Sequence, residues 1–288
     1  MTKNNEPGTF RLGGDLTVGR LGFGAMRLPV SQFGGEPNDR GTGLEVLRRA
    51  VELGVDHIDT AAFYFHGGLA ANDMIREALH PYGDGLVIAT KVGPYKGPDD
   101  LVPSGELAAG DLRAEVERNL RELGRDSLHL VYLRVGGMDE PGGRSIAERF
   151  EVLAGLREEG LIQHLGVSHV SLDQLDEARA IAPVAAVQNR FDITQPADTA
   201  MLRACEENGI AYVPYFPLGG FGLPDDDRVK QVAARHGATV AQTLLAGLLA
   251  LSPVMLAIPG TSSPAHLEEN MGALSVRPTP EDLELFRS

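Results

Sequence analysis

Short apolar runs alternate with longer amphipathic stretches from about residue 20 to about residue 273, a pattern of repeated strand-helix units. The apolar runs predict strands at 21–23, 55–59, 86–91, 128–133, 162–168, 185–188, 211–216 and 254–258. Between them, Leu44, Leu47 and Val51, then Leu112, Val116, Leu120 and Leu123, then Ile146, Phe150 and Leu153 recur at three- and four-residue spacings, so each set forms one apolar helix face. LVIAT, LHLVYL and VMLAI are apolar at nearly every position, as strands are when helices cover one face and a core fills the other. An open doubly wound sheet shares this signature. However, no GxGxxG turn follows the first strand, and about eight evenly recurring units are the number that closes a barrel. The expected fold is α/β, a (β/α)8 TIM barrel with residues 1–288 as one domain. Ahead of it, residues 9–12 and 15–18 flank Gly13-Gly14, which predicts a β-hairpin with a two-residue turn at the barrel bottom.

Barrel chemistry sits at the C-terminal ends of the strands and in the loops that follow. The longest irregular stretches, 29–40, 92–108 and 136–144, are such loops. Successive strands end in Asp59, Lys91, Arg134, Ser168-His169, Gln188-Asn189 and Tyr215, and the last runs into Gly260-Thr261-Ser262-Ser263. One polar residue after an apolar strand can be a solvated end; seven in succession point to a shared site. Asp59 and Lys91 end neighbouring strands, so an acid-base pair at the barrel mouth is expected to hold the lysine charged. Tyr64 follows closely. An ordinary phenol titrates near about 10, and an adjacent ammonium stabilises its phenolate, making Tyr64 a candidate general acid. Its position between Phe63 and Phe65 equally suits an aromatic covering the rim. In IPGTSSPAHLEEN, Ser263 can cap a helix that Pro264 opens. The hydroxyls of Thr261, Ser262 and Ser263 then gather at a helix N-terminus, a candidate anion site. Gly219, Gly220 and Gly222 add a loop whose backbone could approach a pyrophosphate, or are ordinary turn glycines.

Composition narrows the partners. Against 26 Lys and Arg stand 40 Asp and Glu, a formal charge of −14, so the overall field repels nucleic acid and anionic membranes. With 43% hydrophobic and 23% charged residues the chain is globular. The start, MTKNNEPGTF, lacks the apolar core of a signal peptide, and the single cysteine, Cys205, can form no internal disulfide. A cytoplasmic location is expected. No His, Cys or carboxylate cluster has metal-ligand spacing, so no metal is expected. His57 shares the strand face of Asp59 and reads as a deep barrel side chain. Cys205 reads as buried and inert. Asn72 suits either a place near the site or the helix surface.

LGFGAMRL at 21–28, HIDTA with Tyr64, IATKVG at 88–93, HLGVS at 164–168, VQN at 187–189, PYFPLGG at 214–220 and IPGTSS with HLEEN at 258–270 together resemble the aldo-keto reductase superfamily over essentially the whole chain. The resemblance implies a barrel, commonly monomeric, that binds NADPH/NADP+ in preference to NADH across its mouth and reduces a small aldehyde or ketone. It implies Tyr64 as the acid, Lys91 as the group lowering its pKa and Asp59 as the orienter of Lys91. Around the cofactor it places Gly24 and Met26, Ser168, His169 and Gln188 at the carboxamide, Tyr215 on the ring, and Pro217, Leu218, Gly219 and Gly220. At the 2'-phosphate and adenine it places Gly260, Thr261, Ser262, Ser263, His266, Glu269 and Asn270. Three positions depart from the family pattern. Gly260 stands where many members carry Lys, His266 where Arg is frequent, and Arg134 where a catalytic His is usual. An arginine can orient a carbonyl and stabilise an oxyanion, but it cannot relay a proton. Arg134, with PYFPLGGFG and IPGTSSPAHLEENM, is similar to one branch, the bacterial pyridoxal reductases. For that substrate, Arg134 and the loop residues Phe65, His66, Tyr95, Met138 and Phe221 form the candidate wall. A broad-specificity aldehyde reductase and a cofactor-binding regulatory protein remain the alternative readings.

Overall fold

The computed structural model describes residues 8–137, 143–194, 197–220 and 222–287. Seven parallel strands lie side by side in chain order: Phe23–Gly24, His57–Asp59, Val87–Val92, Leu128–Arg134, Ile162–Ser168, Val184–Gln188 and Ala211–Tyr212. The chain at 254–259 joins the last of these back to the first. Tyr212 bridges Met255 and Leu21 bridges Ala257, both parallel. Tyr212 N donates to Val254 O (2.9 Å), Leu256 N to Tyr212 O (2.9 Å) and Gly22 N to Ala257 O (2.8 Å). The sheet therefore closes into the expected barrel. Its eighth member consists of bridges rather than a regular strand because Pro253 and Pro259, at its two ends, have no N–H to give. Pro214 likewise cuts the expected 211–216 strand to two residues, after which pairing resumes at a single Arg190–Tyr215 bridge.

Helices cover the outside. In the helix Arg40–Glu52 the inward face is Gly43, Leu44, Val46, Leu47 and Ala50. Val51, expected on that face, is 40% exposed, because the stripe continues through Ala50 instead. The faces of Leu112–Leu123 and Ala147–Glu158 are buried as predicted, with Phe150 and Leu153 fully covered. Helix Pro264–Met271 starts as expected, with Ser263 as its cap and proline in its first turn. Among the described residues no helix is long and apolar enough to cross a membrane.

The hairpin Thr9–Leu12 and Leu16–Gly19 pairs Leu12 with Leu16, so its loop has three residues, Gly13 to Asp15, rather than two. Its Phe10, Leu12 and Val18 are buried. It is tied to the N-terminal side of the strands: Asp15 meets His164 at 2.8 Å, and Gly19 N donates to both Asp56 oxygens at 2.9 and 2.8 Å. The opposite end is thereby left open for chemistry.

Within the barrel wall His129 Nδ1 accepts from Ile88 N at 3.1 Å, a role only the neutral ring can fill. Burial, then the neighbouring Arg125, pushes its pKa from 6.5 to about 4. The folded state thus disfavours the charged ring, so this contribution to stability is complete above 6.5 and is lost as pH falls towards 4. We expect the melting temperature to decline across that window and His129→Leu to flatten that part of the profile. An unchanged profile in the variant would remove His129 as the cause.

Candidate active site

The strand registers bring distant polar residues to one mouth. Asp59 pairs with Ala89, and Lys91 lies two residues further along on the same face. Lys91 Nζ donates to Asp59 Oδ1 at 2.5 Å and to Thr60 O at 3.0 Å, while Gln188 Nε2 donates to Asp59 Oδ2 at 2.8 Å. The two charged side chains are only 2% and 4% exposed. Burial works against the lysine charge, but Asp59 and then Tyr64 outweigh it, and the Lys91 pKa is raised.

Tyr64 stands on the turn after Asp59: its N–H donates to Ala61 O and its carbonyl accepts from Ala71 N. Its ring packs edge-on to Phe63 and lies 4.7 Å from Lys91 Nζ. Burial is the strongest influence on its phenol pKa and the net direction is upward; Lys91 pulls it down, as expected, and Arg134 does so more weakly. Tyr64 is consequently a protonated phenol at neutral pH, held beside two cations that favour its conjugate base. That combination stores a proton and stabilises what remains when it leaves.

Arg134 closes the strand Leu128–Arg134, its Cζ 5.2 Å from the centre of the Tyr215 ring. Its Nη2 donates to Gly137 O at 2.9 Å and the guanidinium also interacts with the Tyr215 hydroxyl, while among the described residues its buried Nη1 has no geometrically well-formed hydrogen bond. Burial lowers its pKa, yet a guanidinium stays charged at working pH.

These groups face a cavity of about 520 Å³. Asp59, Tyr64, Lys91, Arg134 and Phe65 border it, as do Gly24, Met26, Gln188 and Tyr215. Pro217, Leu218 and Gly220 form one side, and Gly260, Thr261, Ser262, Ser263, His266, Glu269 and Asn270 the far end. Ser168, His169, Gly219, His66 and Tyr95 do not border it. Ser168 is fully buried at the strand end beside Gln188, and its hydroxyl has no hydrogen-bond partner among the described residues. His169 lies behind Tyr215, its Nδ1 sharing a 2.8 Å hydrogen bond with the Tyr215 hydroxyl. His66 bonds to Gly35 O at 2.8 Å, and Tyr95, 52% exposed, faces an outer groove. Phe221 and Met138 lie outside the described residues.

Several wall residues carried no clear sequence signal. Arg27 donates to Ser31 O at 3.2 Å and to Gly220 O, and Ser31 Oγ meets Ser262 Oγ at 2.9 Å, so three loops meet across one end of the cavity. Lys96 donates to Phe65 O at 2.6 Å and stands on the same wall. Asn72 is neither at the site nor on the surface. It is buried, accepts from Thr60 Oγ1 and donates to Asn119 and Glu122, bracing the end of the Asp59 strand. Among the described residues no group of three or more His, Cys, Asp or Glu could hold a metal ion.

The model of the aldo/keto reductase family matches residues 20–288. The chain belongs to this family. As an aldo/keto reductase it is an oxidoreductase, and its relatives agree. It is 47% identical over 268 residues to pyridoxine 4-dehydrogenase of Escherichia coli (strain K12), covering 92% of each chain. It is 37% identical over 275 residues to an uncharacterized oxidoreductase of Schizosaccharomyces pombe, covering 95% of this chain and 87% of the relative. Among solved structures, an aldo-keto reductase from Klebsiella pneumoniae in complex with NADPH superposes with a TM-score of 0.78 at 27% identity, covering 97% and 94% of the two chains.

The buried Lys91–Asp59 pair gives a direct test of the site's energetics. Removing one member of such a pair leaves an uncompensated charge and costs about 3–5 kcal/mol. Asp59→Ala should therefore lower unfolding stability in urea by about that amount at pH 7; a loss below about 1 kcal/mol would mean that Lys91 relaxes to solvent or sheds its proton.

Proposed function

We propose that the protein reduces the aldehyde of pyridoxal to the alcohol pyridoxine with NADPH, Tyr64 giving the proton to the carbonyl oxygen. The observation that carries this reading is the protonated Tyr64 phenol on the cavity wall, 4.7 Å from the Lys91 ammonium by its ring centre. The bound cofactor supplies the hydride. Lys91, anchored by Asp59 and Thr60, stabilises the phenolate that remains, and Gln188 holds Asp59 in place through its second oxygen. Arg134 borders the cavity and offers its Nη1, which makes no well-formed hydrogen bond among the described residues, to the substrate. An arginine can bind the carbonyl oxygen and the neighbouring phenolate oxygen of pyridoxal together, and Lys96 adds a second cation on that wall. Since arginine cannot relay a proton, Tyr64 alone carries the acid role.

The residues present fit a dinucleotide. Gln188 and Tyr215 border the cavity, an amide suited to a carboxamide and an aromatic ring suited to a flat heterocycle. At the far end Gly24 and Gly260 approach so closely that a Cβ on Gly24 would stand 2.6 Å from Ile258 O, and one on Gly260 would stand 2.5 Å from Gly24 O. A side chain at 260, lysine included, would collide with this backbone. Recognition of a 2'-phosphate then falls to Thr261, Ser262, Ser263, His266 and the N-terminus of helix Pro264–Met271. Support for the substrate comes from the 47% identity to a protein named pyridoxine 4-dehydrogenase. The assembled Asp59, Lys91 and Tyr64 argue against an inactive regulatory protein.

Loss of NADPH absorbance with pyridoxal, beside simple aldehydes and with NADH in parallel, tests the assignment. Selective oxidation of NADPH by pyridoxal is expected; equal efficiency across unrelated aldehydes would replace pyridoxal with broad specificity. Tyr64→Phe should lower kcat by about a hundredfold or more while NADPH binding, followed by its fluorescence, persists. An active Phe variant would reassign the acid.

A further inference from the structure

We propose that Glu106 is a positioning residue for Arg134, fixing through one glycine turn where the guanidinium stands in the cavity. The proposal rests on the reading of Arg134 as a substrate-orienting group. Glu106 lies in the short strand Gly105–Glu106, which pairs antiparallel with Pro94–Tyr95 in the loop after the Lys91 strand. Its Oε1 accepts from Gly136 N at 2.6 Å and meets Arg149 Nη1, from helix Ala147–Glu158, at 3.1 Å. Gly137 O in turn accepts from Arg134 Nη2 at 2.9 Å. A chain of contacts thus runs from Arg149 through Glu106 to the turn and on to the guanidinium. Both turn residues are glycines, and Gly136 has a φ of 68°. Such a pair has high conformational freedom and no side chain to anchor it, so the Glu106 carboxylate is its main fastening among the described contacts. The backbone beneath is already fixed: Val135 N donates to Ser168 O, and the Gly93 backbone lies so close that a Cβ there would stand 2.3 Å from Arg134 O. What remains to be set is the direction of the side chain. One of its ends is held by Gly137 O, and the group also interacts with Tyr215, while Nη1 makes no well-formed hydrogen bond among the described residues.

The test measures kcat and KM for the aldehyde, NADPH affinity and melting temperature in Glu106→Ala and Glu106→Gln, each also combined with Arg134→Met. Glu106→Ala is expected to lower kcat/KM about tenfold, since a misplaced orienting group loses that much or more, with NADPH affinity unchanged. Glu106→Gln keeps an oxygen for Gly136 N and should stay within about threefold of the parent. In the Arg134→Met background the Glu106→Ala loss should vanish, which a merely structural role would not produce. If Glu106→Ala fails to fold, Arg149→Met, which removes the other anchor of the carboxylate, replaces it with the same expected coupling to Arg134. A parent-like Glu106→Ala, or a loss that persists without Arg134, overturns the positioning role while leaving the Arg134 assignment intact. An Arg134→Met protein as efficient as the parent overturns both.

Discussion

A lysine ammonium that is 2% exposed inside a barrel can keep its charge only if its surroundings replace the water it has lost. Here the replacement is nearly complete: Asp59 supplies the countercharge, Thr60 a carbonyl, and Gln188 satisfies the second Asp59 oxygen. Asp59 and Lys91 stand on neighbouring strands, whereas Gln188 comes from a strand four places further along the sheet and reaches Asp59 across the closed barrel. Closure and the geometry of the site are therefore coupled. A strand displaced by one residue would turn Asp59 or Lys91 to the outer face, and the buried pair would become two isolated charges.

The same requirement explains the polar bracing behind the site. Thr60, whose carbonyl holds Lys91, gives its hydroxyl to Asn72, and Asn72 donates to Asn119, which also accepts from Thr90 Oγ1 at 2.6 Å. These side chains are buried between strand ends and outer helices, where unsatisfied groups would be costly. Each partner fixes the next, so the geometry at Lys91 is held from outside the barrel as well as within it. Tyr64 benefits too, since its side chain meets Lys91 and its turn follows directly from the strand that Thr60 anchors.

Much of this was legible along the chain. Apolar periodicity placed the barrel strands, and the polar residues ending them located Asp59, Lys91, Arg134, Gln188 and Tyr215 at one mouth. What escaped depends on surroundings rather than on pattern. Pro253 and Pro259 leave the last strand as bridges, and Ala50 takes the buried place expected for Val51. The direction of the Tyr64 shift is set by burial, which spacing does not report. Ser168 and His169 end a strand as expected, but the packing of Tyr215 puts His169 behind it. Arg27, Ser31 and Lys96 sit in loops where nothing local distinguishes a residue facing a cavity from one facing water.

Arginine at position 134 changes the division of labour more than the architecture. A histidine there could share the acid work by changing its charge near neutral pH; a guanidinium contributes a fixed charge and fixed directions. Its value depends on aim, because a planar donor array recognises oxygens only when its plane and separation match theirs. A flexible side chain free to swing beside a diglycine turn would lose that advantage to conformational freedom, whereas one fastened at a neighbouring carbonyl keeps it. In the proposed reaction the chemistry at this mouth is thus partitioned: Tyr64 would hold the proton, Lys91 would prepare for its departure, and Arg134 would select which oxygens are presented to them.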